Sequence, residues 1–138
     1  MAEEIRRVDY YYTTVPDKPG EGHRALAALH QAGVNLLGFS AFPQGRWRSQ
    51  LDFLPEDSVA FAKAAKSSGL KLSKKKGCFL IRGEDRPGAL AEKVAKLAAA
   101  GINVISVQAA CAGAGRYGAL LWVKPRDLKK AAKTLGAS

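Results

Sequence analysis

Apolar residues follow two patterns along this chain, one typical of strands and the other typical of helices. Six runs rich in branched and aromatic residues predict β-strands. They are Val8–Thr14, Asn35–Phe42, Trp47–Phe53, Cys78–Arg82, Ile102–Cys111 and Tyr117–Val123. A further short strand is predicted at Leu70–Ser73, and no strand is predicted after the last helix.

The stretches between these strands carry apolar residues at helical spacing. Leu90, Val94 and Leu97 share one face of a helix that follows the fourth strand. Gly33 and Gly101 are predicted to end the two helices of this type in a left-handed conformation. A second type of helix follows each hairpin and begins with acids. Its two instances are Glu56–Ser67 and Asp127–Leu135, and their expected core residues are Val59, Phe61, Leu128 and Leu135.

The chain contains an internal repeat with a shift of 68 positions. Asp17-Lys-Pro-Gly superposes on Asp85-Arg-Pro-Gly, and nine of the twenty-five positions from Asp17 to Ala41 are identical to their counterparts. After a two-residue insertion, Pro55-Glu-Asp faces Pro125-Arg-Asp. A period of this length indicates a duplicated domain. We predict domains at 1–73 and 74–138, and we expect them to pack together because a unit of about 65 residues is marginally stable alone.

The net charge of +10 lies entirely in the second half of the chain. Residues 1–70 carry eight bases and eight acids, whereas residues 71–138 carry fourteen bases and four acids. An acidic partner would therefore meet the second half. No apolar run approaches the ~20 residues of a membrane helix, and the chain begins with acids where a secretory signal has bases. We expect a cytoplasmic protein with no membrane partner.

The sequence offers few groups for catalysis or metal binding. Cys78 and Cys111 are the only cysteines, and both lie in apolar stretches where a thiol usually behaves as a small buried hydrophobe. No cluster of His and Cys predicts a metal site, and no motif predicts a catalytic residue or a cofactor. Residues 113–118 have the GxGxxG spacing, but a predicted strand follows them, so we interpret them as a hairpin loop.

The order βαββαβ, with Asp-x-Pro-Gly after the first strand and Gly-[Val/Ile]-Asn before the second, resembles the ACT domain family. The resemblance covers nearly the whole chain, twice. It implies an α+β fold with two ferredoxin-like βαββαβ repeats side by side, the second lacking its last strand. It also implies that a small effector, usually an amino acid, binds at the interface between domains, and that the protein regulates rather than catalyses.

Eleven residues of the matched motifs form the predicted ligand site. They are Asp17, Lys18, Gly20, Asn35 and Leu36 in the first repeat, and Asp85, Arg86, Gly88, Ala89, Asn103 and Val104 in the second. The glycines let a ligand approach the backbone, and the helices that begin there point unpaired amide groups at a carboxylate. The Asp and Asn side chains together could hold an α-amino group and an α-carboxylate.

Turn chemistry explains each of these pieces separately, because Asp is common before Pro-Gly, Gly ends helices and Asn bonds nearby backbone. The sequence leaves this structural interpretation open. One feature departs from the family: serine-binding ACT domains often carry a His two residues before the Asp, where this chain has Val15 and Gly83. Serine is therefore not favoured as the effector.

Two functional hypotheses follow. The first is a stand-alone regulatory protein that binds an amino acid. The alternative is a basic interaction module with vestigial pockets, docking an acidic protein or nucleic acid. Nucleic acid is the weaker partner, because most aromatic residues lie outside the basic half. We also expect a homodimer, because the missing last strand leaves Cys78–Arg82 at a sheet edge that either Leu70–Lys75 or another chain should cover.

Overall fold

A computed structural model describes residues 3–138 of the chain. Its elements are β1 (Glu4–Pro16), α1 (Glu21–Gln31), β2 (Leu36–Gln44), β3 (Arg48–Pro55), α2 (Ser58–Ser67), β4 (Lys76–Glu84), α3 (Ala89–Ala99), β5 (Val104–Gly113), β6 (Arg116–Val123) and α4 (Leu128–Leu135), the last preceded by a short 3-10 turn. The predicted α+β class is confirmed, and both repeats have the element order βαββα. Within residues 3–138, no helix has the length and hydropathy that crossing a bilayer requires.

Local sequence signals account for the ends of the helices. Gly33 and Gly101 have φ values of 73° and 74°, so the predicted left-handed helix stops are confirmed. Asp57 begins α2, and its carboxylate accepts hydrogen bonds from the amides of Val59 and Ala60, each at 3.1 Å. Val59 itself is 81% exposed, so its predicted place in the core is wrong, because this first turn faces solvent.

The chain divides into two compact units, and one of them is made of two pieces of sequence. This split unit contains residues 3–8 and Gly77–Ser138, with the strand order β1-β4-β6-β5. β4 pairs antiparallel with β6, with Phe79 opposite Leu121. These two residues are fully buried in the core of the unit, together with Ile81, Leu97 and Ala131. The repeat boundaries 1–73 and 74–138 stay a prediction about the sequence. The compact units are defined by packing, and residues 3–8 therefore belong with the second repeat.

The start of β1 occupies the position of the fourth strand in the split unit. Residues 4–8 lie beside β4, and Ile5 is buried in the unit's core. Ser138 donates its backbone N–H to the Ile5 carbonyl and accepts one from the Arg7 amide, both at 3.1 Å. The expectation that Leu70–Lys75 or another chain covers the β4 edge is therefore wrong. The second repeat lacks a last strand of its own, and residues 4–8 replace it.

The continuous unit, Asp9–Lys76, has the strand order β2-β3-β1. Its core is aromatic, with Phe53 between Phe39 and Phe61 at ring-centroid distances of 5.4 and 5.5 Å. Residues 70–73 do not form the predicted strand. They run beside β1 with one backbone hydrogen bond, from the Ser73 amide to the Tyr12 carbonyl at 2.8 Å. The other contacts use side chains: the Tyr12 amide donates to the Ser73 hydroxyl, and the Thr13 hydroxyl donates to the Lys71 carbonyl.

Candidate functional site

Both Asp-x-Pro-Gly turns are anchored to the neighbouring hairpin in the same way. The Asp17 amide donates to the Trp47 carbonyl, and the Asp85 amide donates to the Gly115 carbonyl, both at 2.9 Å. The Asp17 carboxylate accepts a hydrogen bond from the Ser49 hydroxyl at 2.9 Å. These contacts hold each turn at the end of its first strand, so the position of the following helix start is fixed.

The two helices that follow these turns begin at exposed glycines. Gly20 and Gly88 have φ values of 94° and 79°, a left-handed conformation that favours glycine. Among the described residues, 3–138, no side chain caps α1 or α3 at these positions, and a Cβ on either glycine would meet nothing within 4 Å. The first amides, those of Glu21 and Ala89, donate back to the carbonyls of Lys18 and Arg86 at 3.4 and 3.2 Å. The next amides have no side-chain cap within residues 3–138, and they suit a carboxylate or another small anion.

The residues beside these glycines differ in exposure. Lys18 and Arg86 lie on the surface of the turns, and Arg86 pairs with Glu92 at 2.7 Å. Ala89 is buried beneath the start of α3, and Leu36 and Val104 are half-buried at the start of β2 and β5. The turns therefore present backbone and basic side chains to solvent, and Leu36 and Val104 lie at the other end of the helices, beside the two asparagines.

The two candidate asparagines have different surroundings. The Asn35 amide donates to the Glu56 carboxylate at 3.1 Å, and the Glu56 backbone amide donates to the Asn35 carbonyl at the same distance. In the second repeat the position equivalent to Glu56 is Arg126, which offers no acceptor. Asn103 is exposed at the start of β5. Both asparagines are exposed, but Asn35 is bound to a carboxylate, whereas the equivalent position near Asn103 is an arginine.

Within one unit, the Asp-x-Pro-Gly turn and the asparagine lie at opposite ends of the helix between them. Asp17 is joined to the residue before β3, while Asn35 is joined to the residue after it. The 11 residues of α1 span about 16 Å, and α3 has the same length. Asp and Asn of the same unit therefore lie too far apart to hold one small ligand, and the predicted site at an interface between domains stays a prediction.

Solved structures with this architecture are similar to nearly the whole chain. Protein BT0572 from Bacteroides thetaiotaomicron is 17% identical with a TM-score of 0.77, and the match covers 94% of this chain and 88% of that one. The ligand-free regulatory subunit of aspartate kinase from Thermus thermophilus is 16% identical with a TM-score of 0.65, covering 98% of this chain and 93% of that one. The chain has the fold of a tandem ACT domain protein.

Complete enzymes share this tandem ACT fold only in part of their length. Aspartate kinase from Clostridium acetobutylicum matches with a TM-score of 0.55 and 13% identity, over 95% of this chain but 33% of the enzyme. No family model and no curated protein matches the sequence. At these identities the similarity shows the fold alone.

The two thiols of the split unit occupy different environments. Cys78 is fully buried in β4, as predicted, but Cys111 is exposed on β5, so the prediction that both are buried is wrong. A hydrogen bond to the Asp85 carboxylate raises the pKa of the Cys111 thiol. β6 lies between β4 and β5, which confirms the predicted separation of the cysteines by one strand. The Cys111 thiol thus contacts the Asp85 carboxylate, as the Ser49 hydroxyl contacts the Asp17 carboxylate.

A cluster of charged residues beside α3 was missed by the sequence analysis. The Lys93 side chain is 2% exposed, and its Nζ lies 2.6 Å from a carboxylate oxygen of Glu3 and 3.6 Å from one of Glu92. Burial is the largest single effect on the pKa of Lys93 and lowers it, but the Glu3 carboxylate, together with Tyr117 and Glu92, outweighs burial and holds the pKa above its ordinary value. The available signal was the spacing of Ala89, Lys93 and Leu97, which places a lysine on the buried face of a helix.

Proposed function

We propose that this chain is a stand-alone regulatory protein that binds a small amino-acid effector at an interface between ACT-like domains and does not catalyse a reaction. The similarity to a separate regulatory subunit supports this function, because it extends over 93% of that subunit. Only a third of a complete aspartate kinase is matched. The observation that carries the proposal is the pair of uncapped helix starts with open space above them.

The second repeat is the better candidate for effector binding. Gly88 presents the uncapped start of α3 to a carboxylate, and the Asp85 carboxylate beside it can accept from an amino group. Asn103 has no carboxylate equivalent to Glu56, so its amide is available to a ligand. Because about 16 Å of helix separates these two groups in one unit, we propose that another ACT-like domain, such as one from a second copy of the chain, completes the site.

A thermal-shift screen against the twenty amino acids tests this function. An effector at 100 times its dissociation constant stabilises the folded protein by about 2.7 kcal/mol. We expect Asn103→Ala to abolish the shift and to leave the Tm without ligand nearly unchanged. Asn35→Ala is the matched control, and it should lower the Tm without ligand because it removes the contact with Glu56.

Three results would contradict the site. They are a shift that survives Asn103→Ala, a shift that is lost only with Asn35→Ala, and the absence of a shift with every amino acid. Size-exclusion chromatography with light scattering of the same samples tests the homodimer. If the protein is a monomer and still binds the effector, a second copy does not contribute to the site.

The basic face of α4 supports the alternative function as an interaction module. Arg126 and three lysines of α4 are exposed there: Lys129, Lys130 and Lys133. An acidic protein or nucleic acid held by these charges would bind with a steep dependence on salt, because counterions are released. Amino-acid binding at the helix starts should depend far less on salt, so the two functions are separable in one titration.

A further inference from the structure

Lys93 needs a carboxylate partner in the folded protein. Its side chain is 2% exposed, and besides the carboxylates its Nζ has one hydrogen-bond acceptor within residues 3–138, the Ala89 carbonyl at 3.4 Å. A buried ammonium ion without a carboxylate is strongly unfavourable, because the solvation it loses is not replaced. Glu92 is 3.6 Å away and is also engaged by Arg86 at 2.7 Å, so the Glu3 carboxylate at 2.6 Å is the main partner.

Glu3 is the replaceable member of this pair. Its side chain is 41% exposed, whereas Lys93 is held inside the helix face. Glu3 directly precedes β1 and reaches an open cavity of about 250 Å³. Charged side chains line this cavity: Glu3, Glu84, Arg86, Glu92, Lys93 and Lys96. At ~30 Å³ for each water molecule, the cavity can hold a small organic acid beside Lys93.

Tyr117 is not among the residues that line the cavity, but it lies next to Glu3. Its hydroxyl is buried and lacks a hydrogen-bond partner within residues 3–138. The Tyr117 ring and the Glu3 carboxylate meet over Gly83, where a built Cβ would lie 2.9 Å from the ring and 3.5 Å from the carboxylate oxygen. The backbone restricts the position of the Glu3 carboxylate, which accepts from Lys93 and not from Tyr117. A free carboxylate can turn so that one oxygen accepts from Lys93 and the other from Tyr117.

The first repeat has no equivalent of this arrangement. The position of Lys93 is taken there by Ala25, and the position of Gly83 by Val15. Ala25 is buried in the apolar core of the continuous unit. The arrangement is therefore a property of the split unit and not of the repeated fold.

We infer that the cavity beside Lys93 is a binding site for a small free carboxylate, in which Glu3 is an intramolecular ligand that the free acid displaces. The site uses Lys93 as the charged partner and Tyr117 as the second donor. It does not rest on the amino-acid effector or on Asn103. Displacement of Glu3 frees the residue at the start of the strand that covers β4, so occupancy of the site is linked to the anchoring of that strand.

Propionate is the probe for this site, because it reproduces the Glu side chain beyond its Cα. We expect Glu3→Ala to lower the Tm, and sodium propionate to restore it where sodium chloride at equal ionic strength does not. In NMR titrations of the amide resonances around Gly83, propionate should bind Glu3→Ala about tenfold or more tightly than the parent protein, because the tethered carboxylate competes at a millimolar or higher effective concentration.

Three variants separate this site from a general effect of salt or charge. Glu4→Ala removes a surface carboxylate 3.7 Å from Arg82, so it should respond to propionate like the parent. Tyr117→Phe in the Glu3→Ala background should keep the fold and weaken propionate binding. Lys93→Met in the same background should abolish it.

Several outcomes would overturn the inference. The first is an equal rise in Tm with propionate for Glu3→Ala and Glu4→Ala. The second is propionate binding to Glu3→Ala that Lys93→Met does not weaken, and the third is binding that Tyr117→Phe does not weaken. If Glu3→Ala is unfolded in buffer, folding on addition of propionate supports the site, and failure to fold at saturating propionate argues against it. Asn103→Ala should leave every one of these responses unchanged, so failure here is distinguishable from failure of the proposed effector site.

Discussion

Removal of the chain start tests the assignment of residues 4–8 as the fourth strand of the split unit. The perturbation is a chain that begins at Asp9. It loses two buried side chains, Ile5 and Val8, and two backbone hydrogen bonds to Ser138. Each buried aliphatic side chain contributes about 1.5–3 kcal/mol and each hydrogen bond about 0.5–1.5 kcal/mol, so these four contributions alone give a loss of about 4–9 kcal/mol. The loss of Glu3, the main partner of Lys93, and of the pairing with β4 adds to it. That loss approaches the total stability of an ordinary domain.

Hydrogen exchange provides the assay, because it reports the two units separately. In the truncated chain we expect fast exchange at Phe79 and Ile81, whose strand has lost its neighbour, and little change at Phe53 in the continuous unit. An exposed apolar edge also promotes association, so light scattering should detect oligomers or aggregates. Ile5→Ala is the milder variant, with an expected loss of about 2–3 kcal/mol. Unchanged protection at Phe79 and Ile81, together with an unchanged denaturation midpoint, would refute the reasoning.

Three further predictions follow from buried groups. Gly83→Ala should cost about 1–3 kcal/mol, because its Cβ would lie 2.9 Å from the buried Tyr117 ring, whereas Gly118→Ala, with 3.9 Å of clearance to its nearest neighbour, should cost less in the same urea denaturation. Burial raises the pKa of Asp52 above its ordinary value of 3.8, with the Gln50 amide opposing this, so the stability of the parent falls as pH rises through the raised pKa. Asp52→Asn should therefore raise the Tm at neutral pH and flatten that part of a pH–Tm profile, and an unchanged profile would contradict it. The net rise in the pKa of Lys93 means that the Glu3 pair contributes fully below the lysine's ordinary pKa of 10.5 and is lost as pH rises through the raised value. Lys93→Met should show a shallower loss of stability than the parent across that alkaline range, and equal slopes would argue against the pair.

Local pattern was sufficient to predict the secondary structure and the repeat. The runs of branched and aromatic residues in β4 and β6, and the glycines that end α1 and α3, act over a few residues, so their effects are visible without any tertiary contact. The element order, once repeated, was enough to indicate the fold. Where local reasoning failed, as at Val59, a residue with an apolar side chain lies on the solvent face of its helix.

The candidate site could be predicted only in part for a related reason. The positions of Gly20 and Gly88 at the helix starts follow from a short motif that sets backbone conformation locally. The different roles of the two asparagines follow from Glu56 and Arg126, which lie more than twenty residues away along the chain. The same Gly-x-Asn motif therefore gives asparagines with different partners, because the folded chain determines which side chain lies beside each one.

By itself, the sequence determined the strands, the helices, their duplication and the two Asp-x-Pro-Gly turns of this protein, since each depends on periodicity or on the conformational limits of Gly and Pro. Only the tertiary structure decided which strand completes the split unit and which carboxylate meets Lys93. Residues 3–8 reach β4, α3 and Ser138 across most of the chain length, and such contacts depend on which edge is left open and which charge is left buried. Local residue spacing predicts neither the strand beside β4 nor the carboxylate beside Lys93, because both depend on packing between distant segments.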